Sequence, residues 1–172
     1  MDAIVHTAPD ELRGDSQLEL ACLDVRGQIF GVDVQQVREI VRVQTLVPLP
    51  KAPRLVEGVI DLRGVIVPVI DLGRALGGAP IDDATSARIA IVEVEGLVFG
   101  LRAGAASDVL AVSSSDVQSP PALVAQAGYD AVRAVVRRRG APPVLVLSLE
   151  HVLESVYRSG IEERAREAGN AA

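Results

Sequence analysis

Side chains suited to catalysis are scarce in this chain: two histidines, His6 and His151, one cysteine, Cys22, and one lysine, Lys51. A zinc site or a Cys–His nucleophile needs such groups at characteristic spacings, and these are scattered. No glycine-rich loop is followed by Lys-Ser or Lys-Thr, the arrangement that cradles phosphates. Asp71 ends the apolar run VIVPVI, where a phosphoacceptor aspartate could stand, but the lysine that this chemistry needs further on is absent. Its expected role is to cap a turn or helix over Leu72–Leu76. Carboxylates are plentiful, yet nothing places a pair in an enclosed apolar site, so acid–base catalysis has no support. We expect no catalytic residue, no cofactor and no metal.

The bulk composition narrows the partners. A net charge of −6 argues against nucleic acid or an anionic membrane as the main target. The local exception is Arg137, Arg138 and Arg139 before Gly140, expected to be a solvated hairpin tip. Two Phe, two Tyr and no Trp leave little for stacking bases or sugars. Cys22 has no second cysteine to pair with and is expected to serve as a small core hydrophobe. Apolar runs fall short of the roughly 20 residues of a membrane-spanning helix. The first residues, MDAIVHTAPDELRGDS, lack the basic and apolar regions of a signal peptide. A cytoplasmic protein without direct membrane insertion is the expectation.

The elements that would position any site are strands, and they occur twice. Residues 20–43 align with residues 89–112 without a gap, so that Gly27, Phe30 and Gly31 meet Gly96, Phe99 and Gly100, and Glu39 meets Asp108. Residues 63–76 return as 139–153 with one extra residue, matching Arg63-Gly64 to Arg139-Gly140. Short β-branched runs turning at Arg-Gly or Glu-Gly read as hairpins, and four or five of them in about 60 residues suggest a small closed barrel. The Gly77-Gly78-Ala79-Pro80 junction separates the copies. The predicted layout is a loose arm over 1–16, a first barrel over about 17–80, a second over about 85–148, a helix over about 149–158 capped by Ser148, and a fraying polar tail over 159–172. His151 is expected to face solvent. Two barrels side by side would leave a groove for a partner helix.

The stretch FGVDVQQVREIVRV…VPLPKAPRLVEGVIDLRGVIVPVIDL, residues 30–72, resembles CheW-like domains. It meets nearly every element of F-x-[IV], V-x-E-[IV], P-x-x-P and G-x-[IV]-x-L-R-G-x-[IV]-[IL]-P-[IV]-[IV]-D-L at the family's separations, with Asp61 where asparagine is usual. The likeness continues more weakly over residues 17–157. It departs at Ala103-Gly104, where the family often has valine-aspartate, after Tyr129, and at the three arginines. The resemblance implies an all-β protein with minor helices: two tandem SH3-like five-stranded β-barrel subdomains and a C-terminal helix, forming one CheW-like unit. It implies a non-catalytic adaptor coupling chemoreceptors to a CheA-type histidine kinase, in chemotaxis or in a related pathway of pilus motility or gene regulation. The implied partners are the cytoplasmic tip of the receptors, the kinase regulatory domain and other CheW-like domains in rings. The implied place is the cytoplasm, at membrane-bound receptor arrays. Carried over by position, Glu39 and Arg63 match coupling residues, while Val37, Ile40, Gly58 and Gly64 match positions of partner binding.

Overall fold

The computed structural model describes residues 17–126 and 130–171. The proposed arm over 1–16, with His6, and the departure at Tyr129 lie outside the described residues. Among the described residues, eleven strands build two sheets. The first half contributes β1 (Leu18–Val25), β2 (Gln28–Asp33), β3 (Val37–Arg42), β4 (Val56–Leu62) and β5 (Val65–Asp71), followed by the one-turn helix α1 (Leu72–Ala75). The second contributes β6 (Arg88–Val94), β7 (Leu97–Ala103), β8 (Ala105–Val112), β9 (Val117–Gln118), α2 (Ala122–Gln126), β10 (Val132–Arg138) and β11 (Ala141–Leu147). Helix α3 (Leu149–Asn170) ends the chain.

The sheets do not follow the sequence halves. One sheet runs β8-β1-β2-β11-β10-β9 and the other β3-β6-β7-β5-β4. Under the duplication, β8, β1, β2, β11 and β10 correspond to β3, β6, β7, β5 and β4, so the two sheets have the same order. Each copy has lent its first hairpin to the other. The predicted barrels over 17–80 and 85–148 are corrected accordingly. The physical cause lies between the hairpin and the next strand. After β2 a 3₁₀ turn over Val34–Gln36, with Asp33 accepting from the Gln35 N–H, redirects the chain to the other sheet. After β7 the same bend falls at Gly104, whose N–H donates to the Asp24 carbonyl. This is the Ala103-Gly104 departure, and it marks the crossing point.

The predicted closure is also corrected. Each sheet curls into an SH3-like half-barrel whose first and last strands are not hydrogen-bonded to each other. Part of the β4 edge is covered by a bridge between Val47 and Val59, which limits the exposed edge. Each sheet wraps its own apolar core, one around Leu20, Val136, Val144 and Val146, the other around Ile60, Val67, Ile89 and Ile91. A larger third core lies where a groove was expected. There Phe30, Val32, Ile70, Val92, Phe99 and Leu101 from both sheets meet Leu149, Val152 and Val156 of α3. The seam between the sheets is packed, not open.

Two expectations at the C-terminus differ in outcome. Ser148 caps α3, accepting from the His151 N–H at 3.3 Å. The helix does not stop near 158 but runs to Asn170. An Arg158–Glu154 pair one turn apart supports it. Gly160 approaches Pro53, and Glu163 accepts from the Arg54 N–H at 3.1 Å. A segment that looked solvated on every side thus has a tertiary partner.

Candidate functional site

Asp71 is buried and does what its position predicts. Its Oδ1 accepts from the Arg74 N–H and its Oδ2 from the Ile81 N–H, both at 3.0 Å. Cys22 is buried in β1, and burial pushes its thiol pKa up, which suits a core side chain and not a nucleophile. His151 is half-buried, not solvent-facing, with Nδ1 3.9 Å from Glu154. A charged cluster that the sequence reading missed joins β4, β7 and the linker: Arg102 pairs with Glu57 and, at 2.8 Å, with Asp83. Burial pushes the Glu57 carboxyl up, and the Arg102 guanidinium opposes that shift. Contiguity of these groups across three elements was invisible without the swapped topology.

The residues singled out by the resemblance meet at one end of the second sheet. β3 alternates, turning Val37, Glu39 and Val41 inward and Arg38, Ile40 and Arg42 outward. The pairing with β6 shifts by one residue at Arg38, between Val37 opposite Val92 and Glu39 opposite Ile91. Arg63 sits at the β4–β5 tip with φ 52, followed by Gly64 with φ 85. Two consecutive left-handed residues match the twist of the hairpin, and glycine accepts the second without strain. Asp61 Oδ1 accepts from the Gly64 N–H at 2.7 Å and holds the turn. Aspartate in place of asparagine therefore keeps the acceptor that the turn uses.

Arg63 Nη2 donates to Glu39 Oε1, and Arg38 Nε donates to Glu93 Oε2 at 2.8 Å. These ion pairs ring a shallow cleft of about 350 Å³ over the sheet's core, with Leu62, Val65, Ile91 and Val98 in its lining. Just past the tip, Val65 and Ile66 are 60% and 62% exposed, and Ile40 is exposed beside Glu39. Isolated exposed apolar side chains are ordinary, but here several surround one ion pair and form a contiguous apolar patch with a charged centre. Arg38, Glu93, Val65 and Ile66 were not singled out in advance.

The six candidates therefore divide. Glu39 and Arg63 share the cleft rim, Gly64 follows Arg63 in the turn, and Ile40 lies on the adjoining outer face. Val37 packs against the central core. Gly58 is buried beneath Val47 and Pro48, where a Cβ would lie 2.6 Å from the Val47 carbonyl oxygen. It shapes the surface from below.

A family profile described as CheW-like domain matches residues 19–157. A chemotaxis protein CheW of Treponema pallidum (strain Nichols) is 34% identical over 145 residues, 82% of this chain and 85% of that protein. A chemotaxis protein CheW of Rhizobium meliloti (strain 1021) is 34% identical over 147 residues, 86% of this chain and 92% of that protein. The crystal structure of the scaffolding protein TtCheW from Thermoanaerobacter tengcongensis superposes with a TM-score of 0.71 at 25% identity, over 79% of this chain and 92% of that one. With the two-sheet architecture, the Arg-Gly turn and the Glu39–Arg63 rim in place, the chain belongs to the family of CheW-like domains.

Proposed function

We propose that the chain is a non-catalytic scaffold that couples the cytoplasmic tips of chemoreceptors to the regulatory domain of a CheA-type kinase at receptor arrays. One observation carries the reading: the family's Glu and Arg positions converge on a single rim flanked by exposed apolar side chains. The Arg63 side chain is 74% exposed and that of Glu39 31%, so in the free chain their pair is worth only ~0–1 kcal/mol. Docking that removes water from them raises the cost of losing one partner to ~2–5 kcal/mol. The same substitution should therefore spare folding and damage recruitment.

The test is co-sedimentation of receptor membranes, kinase and this chain. Arg63→Glu is expected to keep the wild-type melting temperature within a few degrees, roughly 4 °C at most. Kinase recruitment should weaken roughly 30-fold or more, as 2 kcal/mol dictates. Undiminished recruitment removes Arg63 from the interface. Recovery in the double variant Glu39→Arg with Arg63→Glu shows that the two act on coupling as a pair.

A further inference from the structure

Beside the C-terminal stretch of α3 lies a cleft of about 340 Å³ that scaffolding does not use. Three elements wall it: the loop before β4 with Arg54 and Leu55, α1 with Arg74, and α3 with Glu162, Glu163 and Arg166. We infer that this cleft binds a small hydroxylated phosphate monoester, a sugar or polyol phosphate, whose phosphoryl group Arg54, Arg74 and Arg166 hold. The match to the family profile ends at residue 157, and the turns of α3 that supply Arg166 and the two glutamates lie beyond it.

The walls are fixed through backbone groups, which leaves the guanidiniums unspent. Asp71 caps α1 by accepting from the Arg74 N–H. Glu163 Oε1 ties the helix to the loop by accepting from the Arg54 N–H. Gly160 lies against Pro53 and sets how closely α3 approaches. Among the described residues, no ion pair holds Arg54, Arg74 or Arg166. A fourth guanidinium stands close by, since a Cβ on Gly78, another residue of the cleft, would lie 3.8 Å from Arg26 Nη1. Glu57, whose carboxyl feels the charge of Arg74, is already committed to Arg102. Single unpaired arginines are ordinary on a surface, but these gather about one concavity in a chain of net charge −6.

The number and arrangement of acceptors select the ligand. A phosphoryl monoester carries roughly two negative charges and three strong acceptor oxygens, set as a tetrahedron. It can meet three guanidiniums that arrive from three elements. A carboxylate is planar, and its two oxygens suit a single guanidinium fork. The acids in the cleft define the rest of the molecule. Glu162 and the second oxygen of Glu163 accept hydrogen bonds and repel anions, so the part of the ligand that faces them carries hydroxyls. The cleft also has room for more than a bare phosphate, because small-ligand sites begin near about 300 Å³. Its lining includes no aromatic residue on which a nucleobase could stack. An extended polyanion meets the repulsion of the whole chain, whereas a small ester meets only the local arginines.

Backbone amide spectra of the full chain test this, titrated in turn with glycerol phosphate, inorganic phosphate, citrate and phosphatidic acid vesicles at about 0.15 M salt. Glycerol phosphate should shift the amides of Leu55, Gly77, Gly78 and Ser159 and bind at least ~10-fold more tightly than inorganic phosphate or citrate. Arg54→Gln/Arg166→Gln changes two exposed side chains and leaves the caps and the core alone. It should keep the wild-type melting temperature and weaken glycerol phosphate at least ~10-fold. The inference is overturned if glycerol phosphate shifts none of these amides, or if the Gln pair binds it within about twofold of wild type. Citrate or inorganic phosphate binding equally well overturns the ester, and vesicles binding more tightly than glycerol phosphate overturn the small molecule in favour of a lipid headgroup.

Discussion

Gly58→Ala separates an architectural glycine from a docking one. The added methyl would stand 2.6 Å from the Val47 carbonyl oxygen and 3.0 Å from its carbon. Both are backbone atoms, so no side-chain rotation relieves the clash and the 46–48 segment must lift. Lifting breaks two hydrogen bonds, Val47 N–H to the Val59 carbonyl and Val59 N–H to the Val47 carbonyl, each 2.9 Å. At ~0.5–1.5 kcal/mol apiece the loss is about 1–3 kcal/mol. The stiffer unfolded chain of the alanine variant returns ~0.4–1 kcal/mol. The net, up to about 2.6 kcal/mol, lowers the melting temperature by as much as roughly 10 °C for a chain of this size. Gly64→Ala can cost a similar amount through its positive φ alone, since nothing lies within 4 Å of its Cβ position. Hydrogen exchange distinguishes them: Gly58→Ala should speed exchange at Val47 and Val59, and Gly64→Ala should leave both slow. Unchanged exchange and melting in Gly58→Ala would refute the reasoning, and loss of coupling in such a variant would make Gly58 a contact residue.

Asp71→Ala removes the acceptor of two N–H groups at once, those of Arg74 and Ile81. A lost helix cap and an orphaned buried donor together cost about 2–4 kcal/mol, which denaturant unfolding should read as a lower midpoint with the same slope. Glu57 titrates above its ordinary range because burial penalises its charge, against the pull of Arg102. The folded chain then holds this proton more tightly than the unfolded one, so Glu57 contributes most at acid pH and that contribution falls as pH rises through the raised pKa. Glu57→Gln, which stays neutral, should therefore gain melting temperature relative to wild type as pH rises from acid to neutral; a relative loss would mean that Arg102 outweighs desolvation. Cys22, buried and with its thiol pushed up, should resist alkylation in the folded chain and react promptly in denaturant.

The duplication, the hairpin turns, the Asp71 cap and the Ser148 cap were legible because each depends on a few neighbouring residues. The hairpin exchange was not. β1–β2 and β6–β7 are equivalent copies, so each satisfies the same register and the same apolar pattern in either sheet. What decides is the chain path through Val34–Gln36 and Gly104. The site was half legible. Glu39 and Arg63 stood out through resemblance, but VIVPVI reads as one buried apolar strand, which hid the exposure of Val65 and Ile66 at its start. The end of α3 was misjudged because its partners, Pro53 and Arg54, lie more than a hundred residues away.

The exchange bears directly on scaffolding. The rim around Glu39 and Arg63 is completed by Glu93, Ile91 and Val98 from the second copy, so neither copy alone can form it. The corresponding end of the first sheet is lined by β8, β10 and Ser115-Asp116 of the second copy, in a sheet that β1 and β2 of the first copy complete. Between the two ends, residues of both sheets and of α3 share one close-packed core. Such a core deforms little, because side chains at interior density have few alternative arrangements. A protein that joins partners without chemistry contributes their separation and angle, and a pair of sheet ends tied through exchanged hairpins keeps that geometry better than two independent barrels on a linker.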